Sequence, residues 1–118
     1  MLEGTCHCGA TGFRTTAVPK QLVDCNCSIC RKLGVLWAHV PNESVEFLGE
    51  PDVTIAYSHG DKNLAFHSCR TCGCTSHWVS LSPDAATMAV NGRLSDPAEI
   101  AEIPVRLFDG AETWKFLD

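Results

Sequence analysis

Eight cysteines in a chain of 118 residues fall into three short groups. The groups read C-H-C-G from Cys6, C-N-C-S-I-C from Cys25 and C-R-T-C-G-C from Cys69. Four sulfurs that share a zinc ion at ~2.3 Å lie roughly 4 Å apart, so neighbouring ligands must come from sharply turned chain. Gly9 and Gly73 can supply such turns. The three groups therefore predict metal binding.

Spacing alone leaves the division of the sulfurs open. Cys69-x-x-Cys72-Gly has the form of a zinc-knuckle half-site and needs one more pair of ligands. The Cys6/Cys8 pair can provide it, but that pair could also join Cys25 and Cys27 around one ion. An iron–sulfur cluster, a buried group of free thiols and a set of disulfides are the alternatives to zinc.

Composition narrows the class of protein. The chain is 45% apolar and 19% charged, which is typical of a globular protein, and its length predicts one domain over residues 1–118. We find neither a signal peptide nor a membrane-spanning stretch, and we expect a cytoplasmic protein. In that reducing compartment clustered cysteines indicate metal or redox chemistry rather than disulfides.

Charge argues against two kinds of partner. The formal net charge is −5, and no run of Lys and Arg is present. Two zinc ions on seven thiolates would take the charge to about −8. Because nucleic acids and acidic membranes attract basic surfaces, we expect neither as a partner, and the sequence leaves the oligomeric state open.

The elements that must position these thiols are mostly strands. β-branched and aromatic residues between Gly, Pro, Asn and Asp predict a mainly β fold. The predicted strands are 12–16, 21–24, 36–40, 45–48, 53–58, 63–68, 75–80, 87–90 and 105–108.

One short helix is predicted over residues 28–33, with Ser28 as its N-cap and Gly34 at its C-terminal end. If Cys27 and Cys30 lie on its first turn, their spacing points both sulfurs the same way, while Cys25 reaches in from the preceding strand. Helix-end amides and the cations Arg31 and Lys32 would favour thiolates there.

Other local signals predict turns. A second helical turn can follow Asp96-Pro97, because Pro is tolerated at a first helical position and Asp can cap it. Asn91-Gly92 and Asp109-Gly110 predict turns with positive φ at glycine.

The ordered motifs G-x-C-H-C-G, C-x-C-x-x-C-R-K and F-x-x-C-x-x-C-G resemble the glutathione-dependent formaldehyde-activating enzyme family, which includes vertebrate centromere protein V. The resemblance runs from Gly4 to the segment of Trp114. It implies a β-tent fold of short antiparallel sheets around two zinc sites, with one short helix. By motif, it also implies two ligand sets. The structural four-cysteine zinc site is Cys6, Cys8, Cys69 and Cys72, and the open second zinc site is Cys25, Cys27 and Cys30.

The open site suggests an activity. A catalytic zinc keeps three protein ligands and one exchangeable position. The ion lowers the pKa of a thiol that binds it, and a thiolate can attack an aldehyde carbon. The resemblance implies a carbon–sulfur lyase that joins glutathione and formaldehyde reversibly into S-hydroxymethylglutathione. We predict no side-chain acid or base, and we predict Arg31 and Lys32 as the cations that bind the carboxylates of the thiol.

Two other functions remain open. A binding module or thiol carrier would use both zinc ions only to hold the sheets, and a redox protein would carry iron instead. The remaining titratable residues receive structural roles. Cys74 is expected to be buried or adjacent to the ligands rather than a ligand, and His67 and His77 to donate to the thiolates. Ordinary structural or solvent-exposed positions are expected for His7, His39, His59, Arg70 and Arg93.

Overall fold

The computed structural model describes residues 1–58, 60 and 63–118, so His59 lies outside the described residues. The described chain is mainly β, as predicted, and it contains two short α-helices, the second at the helical turn predicted after Asp96-Pro97. The strands are β1 Leu2–Thr5, β2 Gly12–Thr15, β3 Leu22–Cys25, β4 Trp37–Pro41, β5 Val45–Leu48, β6 Thr54–Tyr57, β7 Leu64–Cys69, β8 Thr75–Ser80, β9 Thr87–Asn91, β10 Val105–Asp109 and β11 Lys115–Phe116; the helices are α1 Ser28–Leu33 and α2 Pro97–Ile100.

The strands form two sheets. The smaller sheet has the order β1-β2-β5 and is antiparallel. The larger has the order β11-β10-β3-β4-β9-β8-β7-β6, and its β3–β10 pair is parallel. That pair sets Cys25 opposite Phe108 and so brings the C-terminal segment beside the second cysteine group.

The central strands of the larger sheet have both faces covered. Leu22, Ala38 and Val90 pack with Leu2 and Phe13 of the smaller sheet. On the other face a second cluster contains Val23, Cys25, Cys30, Val35, Trp37, Phe66 and Ala89. Alternate residues of β3, β4 and β9 therefore serve either the interface between the sheets or the cysteine-bearing face.

Helix α1 spans the predicted residues, and its C-cap is Gly34 in the left-handed conformation, with φ 68°. The N-cap differs from the prediction. Cys27 occupies it, and no side chain accepts a cap hydrogen bond. Ser28 is instead the first helical residue, because the backbone of Cys27 is still extended, with φ −62° and ψ 163°. Helix α2 begins as predicted, with Asp96 Oδ1 accepting from the Ala98 amide at 2.9 Å.

Two predicted turns take a different form. Gly92 begins a 3-10 helix over Gly92–Leu94, and neither Gly92 nor Gly110 has positive φ. Steric crowding, rather than a need for positive φ, explains why glycine occupies both positions. A Cβ at Gly92 would stand 3.0 Å from Leu22 Cδ2, and one at Gly110 would stand 2.6 Å from Cys25 Sγ. Gly9 and Gly73 do have the positive φ predicted for the turns beside the cysteines, at 82° and 81°.

Within the described part of the chain, no helix combines the length and the apolar character needed to cross a membrane.

Candidate metal sites and ligand cavity

The structure brings cysteine thiols together in two separate groups. None of the eight cysteines forms a disulfide. The larger group joins Cys6 and Cys8, between β1 and β2, to Cys69 at the end of β7 and Cys72 in the turn before β8. Its sulfurs lie within 4.8 Å of one another. The Cys6–Cys8 and Cys8–Cys69 sulfur pairs are 3.7 and 3.6 Å apart. These separations fit a tetrahedral zinc tetrathiolate, whose sulfur–sulfur edge is about 3.8 Å.

Backbone amides stabilise negative charge in this group. The Thr11 amide donates to Cys6 Sγ at 3.4 Å, and the Thr71 amide donates to Cys69 Sγ at the same distance. Hydrogen bonds from the amides of Cys74 and Cys8 lower the pKa of Cys72 to about 5. A cluster with an easily ionised thiol and amide donors has the chemistry of a closed metal site.

Cys74 belongs to neither group. Its carbonyl accepts from the Cys69 amide at 2.9 Å, which closes the turn of the third motif. Burial and its neighbour Cys72 raise the pKa of Cys74, although a hydrogen bond from the His7 amide acts in the opposite direction and is the largest single influence. The structure thus places the eighth thiol beside the four-sulfur group and not at the second one.

The smaller group contains Cys25, Cys27 and Cys30, whose sulfurs also lie within 4.8 Å of one another. Cys25 ends β3, Cys27 is the N-cap of α1 and Cys30 lies in the first turn of α1. This is the strand-to-helix arrangement predicted from the sequence. Three sulfurs converge here, and they fit three of the four corners of a zinc site.

Ionisation in the smaller group is uneven. Burial raises the pKa of Cys25 and of Cys30, although the Trp37 Nε1 donates to Cys30 Sγ at 3.2 Å and acts against that rise. Burial also opposes ionisation of Cys27, but the amide of Cys30 and the neighbouring thiols outweigh it and lower the pKa of Cys27. A cation bound to all three sulfurs would stabilise their thiolate forms and so offset the effect of burial on their pKa values.

The C-terminal segment is fastened to this group through Asn26. The Asn26 side chain donates to Asp109 Oδ1 at 3.0 Å and accepts from the Ala111 amide, also at 3.0 Å. Asp109 Oδ2 in turn accepts from the Thr113 amide at 3.1 Å and from its hydroxyl at 2.8 Å. Gly110 then passes so close to Cys25 Sγ that a side chain there would collide with it.

A cavity of about 1220 Å³ opens directly on the three-thiol group. Cys25, Cys27 and Cys30 contribute to its wall, and apolar side chains form much of the remainder. Its aromatic residues are Trp37, Phe66, Trp78, Phe108, Trp114 and Phe116.

His39 is a cavity residue that sequence reasoning missed. It lies on β4 and lines the cavity, with its ring 5.7 Å from that of Trp78 in an edge-to-face arrangement. Its side chain is exposed at the cavity, and partial desolvation by the neighbouring protein lowers its pKa. The available signal was its place two residues after Trp37 in a strand, where side chains point to the same face.

The two cations predicted to bind the carboxylates of the thiol lie on α1 outside the cavity wall, and that role stays a prediction. Arg31 and Lys32 are exposed on α1 and do not line the cavity. Among the described lining residues Lys20 carries the positive charge. Arg70 binds the Asp52 carbonyl at 2.8 Å, and Arg93 is exposed beyond β9.

His67 and His77 form a stack of their own. Their rings are parallel within 9° and 4.5 Å apart, and Phe47 of the smaller sheet lies 4.2 Å from His77. Their Nδ1 atoms pair with the hydroxyls of Thr54 and Ser76 at 2.9 and 2.7 Å. The Nδ1 atoms of both histidines are thus hydrogen-bonded to hydroxyl groups. The contact of His77 with Phe47 connects the larger sheet to the smaller one.

Comparison with known proteins agrees with the cysteine motifs. The sequence profile of the glutathione-dependent formaldehyde-activating enzyme family matches residues 1–108. A protein of Halomonas elongata described as a putative glutathione-dependent formaldehyde-activating enzyme is 35% identical over 77 residues, which cover 64% of this chain and 45% of that protein. The alignment thus spans less than half of the relative's length.

A solved structure shares the architecture. The crystal structure of a Rhodobacter sphaeroides protein superposes with a TM-score of 0.71 at 26% identity, covering 88% of this chain and 99% of that one. The profile match ends at residue 108, before the segment that carries Trp114. On the profile match over most of its length, the chain belongs to the glutathione-dependent formaldehyde-activating enzyme family.

Proposed function

We propose that this protein is a zinc-dependent enzyme of the carbon–sulfur lyase type, which joins a small thiol to an aldehyde and releases them again. The observation that carries the proposal is the group Cys25, Cys27 and Cys30, a three-sulfur set that opens on a cavity. The names of the family and of the Halomonas relative support a glutathione-like thiol and a formaldehyde-like aldehyde.

Two zinc ions are proposed, one in each group. Cys6, Cys8, Cys69 and Cys72 would hold a structural ion, which ties the first turn of the chain to the β7–β8 turn. Cys25, Cys27 and Cys30 would hold the second. When bound there, zinc supplies the positive charge that favours the thiolate form of a substrate thiol at neutral pH.

His39 is the residue proposed to transfer the proton of the thiol. His39 lines the same cavity, and its lowered pKa keeps the imidazole neutral near pH 7. A neutral imidazole has one acceptor and one donor nitrogen. It can accept the proton of the incoming thiol and return a proton to the aldehyde oxygen as the carbon–sulfur bond forms. The reverse transfer accompanies release, so atoms and charge balance without an oxidant.

The inner wall of the cavity is apolar and buried. Trp37 and Phe66 are buried behind the thiols, and Trp37 also donates its indole N–H to Cys30 Sγ. Exclusion of water strengthens electrostatic interactions at the site. We further propose that residues 1–118 act as one domain in the cytoplasm, where the cysteines stay reduced.

Metal analysis and calorimetry test this function. Purified under reducing conditions, the protein is expected to contain two zinc ions per chain, and glutathione should bind at millimolar concentration or below. Cys30→Ser should lose one zinc ion and the thiol binding, whereas Cys74→Ser, the matched control, should keep both. Formation of the hemithioacetal from glutathione and formaldehyde, followed by NMR, then reports turnover.

Three results would contradict the proposal. Iron in place of zinc would give visible absorption, which d¹⁰ zinc lacks, and would point to redox chemistry. A fourth protein sulfur on the second ion would close the site. Thiol binding with no acceleration of the reaction would leave a thiol carrier.

A further inference from the structure

The cavity around the three-thiol group has two aromatic walls. Trp37, Phe66 and Trp78 form one of them, with the Trp37 ring 6.1 Å from Phe66 and 6.5 Å from Trp78. Phe108, Trp114 and Phe116 form the other, with the Phe108 ring 5.1 Å from Trp114 and 5.0 Å from Phe116. Six of the nine aromatic residues of the chain, including all three tryptophans, therefore line one cavity.

Sheet order places the thiols between these walls. Strand β3, which ends at Cys25, lies between β10 and β4. Cys25 is paired with Phe108 on one side, and Val23 is paired with Trp37 on the other. A substituent that extends from a sulfur or carbon held at the thiol group thus has aromatic rings on both sides.

The wall formed by Phe108, Trp114 and Phe116 is partly exposed to solvent. Trp114 is 71% exposed and has φ of 59°, a left-handed conformation that is uncommon for a bulky residue. Its amide donates to the Asp109 carbonyl at 2.7 Å, which fixes the turn that presents it to the cavity. Arg106 lies 3.9 Å from the centre of the Phe116 ring and anchors that side of the wall.

The charge of the described part of the wall also bears on the kind of ligand that fits. Glutathione carries two carboxylates, and paired cations are the usual partners of such groups. Lys20 is the cation among the described residues of the wall, while Arg31 and Lys32 lie outside it. The described wall suits a ligand with an apolar ring better than one with two carboxylates.

We infer that the thiol or aldehyde handled at this site carries an aromatic or similarly bulky apolar group, which lies between the Trp37/Trp78 wall and the Phe108/Trp114 wall. The inference rests on the proposed function for the thiol end of the ligand. Trp114 is then a specificity-determining residue, contributed by a segment that lies beyond the family match.

Tryptophan fluorescence can test this directly, because every tryptophan lines the cavity. The zinc-loaded protein is titrated with benzyl mercaptan, glutathione and benzyl alcohol, with excitation at 295 nm to avoid absorption by the probes. Benzyl mercaptan is expected to bind at least about tenfold more tightly than glutathione, since burying a phenyl ring accounts for a factor of that size. Benzyl alcohol should bind more weakly than the mercaptan but measurably.

Two variants locate the effect. Trp114→Ala should weaken both benzyl probes by about fivefold or more and leave glutathione nearly unchanged, because Trp114 is exposed and its loss spares the core. Leu117→Ala is the matched control, because Leu117 is 59% exposed in the same segment but does not line the cavity. It should leave all three affinities unchanged.

The outcomes separate the two proposals. Glutathione binding as tightly as benzyl mercaptan, or no effect of Trp114→Ala, overturns the aromatic preference and leaves the thiol chemistry standing. Equal binding of benzyl mercaptan and benzyl alcohol, both weakened by Trp114→Ala, supports the aromatic cavity but contradicts thiol binding at zinc. No response to either benzyl probe overturns the inference.

Discussion

Asn26 and Asp109, 83 positions apart in the chain, are joined by a 3.0 Å hydrogen bond from the Asn26 side-chain amide to Asp109 Oδ1. Asn26 stands between two cysteines of the smaller group, and Asp109 begins the turn that leads to Trp114. The contact therefore couples the geometry of the three-thiol group to one wall of the cavity. Hydrogen bonds from Asn26, and then from Thr113, also lower the pKa of Asp109, so the carboxylate stays charged near neutrality.

Replacing Asn26 should loosen this wall. Asn26→Ala removes the donor to Asp109 and the acceptor of the Ala111 amide. Because each hydrogen bond contributes roughly 1 kcal/mol, we expect hydrogen exchange of the Ala111 and Thr113 amides to accelerate about fivefold to tenfold. Mass spectrometry of peptides from the C-terminal segment measures it.

Asn42→Ala serves as the control for that experiment. The Asn42 side chain donates to the Ala85 carbonyl at 2.9 Å, away from the cysteine groups. It should leave exchange in the segment from 109 to 116 unchanged. Equal acceleration of exchange in both variants would show a general loss of stability rather than a local effect of the Asn26 hydrogen bonds.

The sequence predicted the elements that obey local rules. Helix α1 follows from its glycine C-cap and flanking motif, and nine strands were placed within a residue or two because β-branched and aromatic runs mark them. Strands β1 and β11 were missed. β1 contains Glu3 and Gly4, and β11 has only two residues, so both depend on pairing with β2 and β10 rather than on their own propensity.

Long-range features were harder to predict. The grouping of Cys6 and Cys8 with Cys69 came from family resemblance, because spacing allowed another pairing. The parallel β3–β10 pair, and with it the Trp114 wall, has no local signal. Arg31 and Lys32 are predicted to bind substrate because they follow Cys30 in the sequence; both are exposed on α1 and neither lines the cavity, so their role in binding stays a prediction.

The two sulfurs nearest the end of the third motif should respond differently to mutation. Cys72→Ser removes a member of the four-thiol group, and we expect it to release one metal ion and to lower the melting temperature by roughly 10 °C or more. Cys74→Ser, two residues away, should keep both ions and nearly the wild-type melting temperature. Metal analysis and thermal unfolding measure both. Metal loss in Cys74→Ser would show that Cys74 is a ligand.

His39 should affect rate more than binding. His39→Gln keeps a polar side chain but cannot carry a proton, so the proposed addition should slow about a hundredfold while zinc content and thiol affinity stay near wild type. Because partial desolvation lowers the pKa of His39, the acid limb of the wild-type rate profile should lie below pH 6.5 and should be absent from the variant. A pH series of initial rates measures this. An identical acid limb in both proteins would assign the proton transfer elsewhere.

His77 should make the fold sensitive to acid. Burial, together with the charge of nearby His67, lowers the pKa of His77 to about 3, whereas an unfolded histidine titrates near 6.5. The unfolded state then binds more protons between these values. Stability is complete above about pH 6.5 and falls as the pH drops toward 3, with His77 contributing at most about 1.4 kcal/mol per pH unit.

Denaturant unfolding at pH 7.5, 6 and 5 tests this for the wild type and for His77→Gln. The variant keeps an amide that can pair with the Ser76 hydroxyl but cannot take up a proton, so its stability should fall less steeply with acid. Metal release at low pH contributes to both proteins, and the difference between their slopes isolates His77. Parallel slopes would show that His77 titrates normally in the folded protein, and that its stack with His67 and Phe47 tolerates the charge.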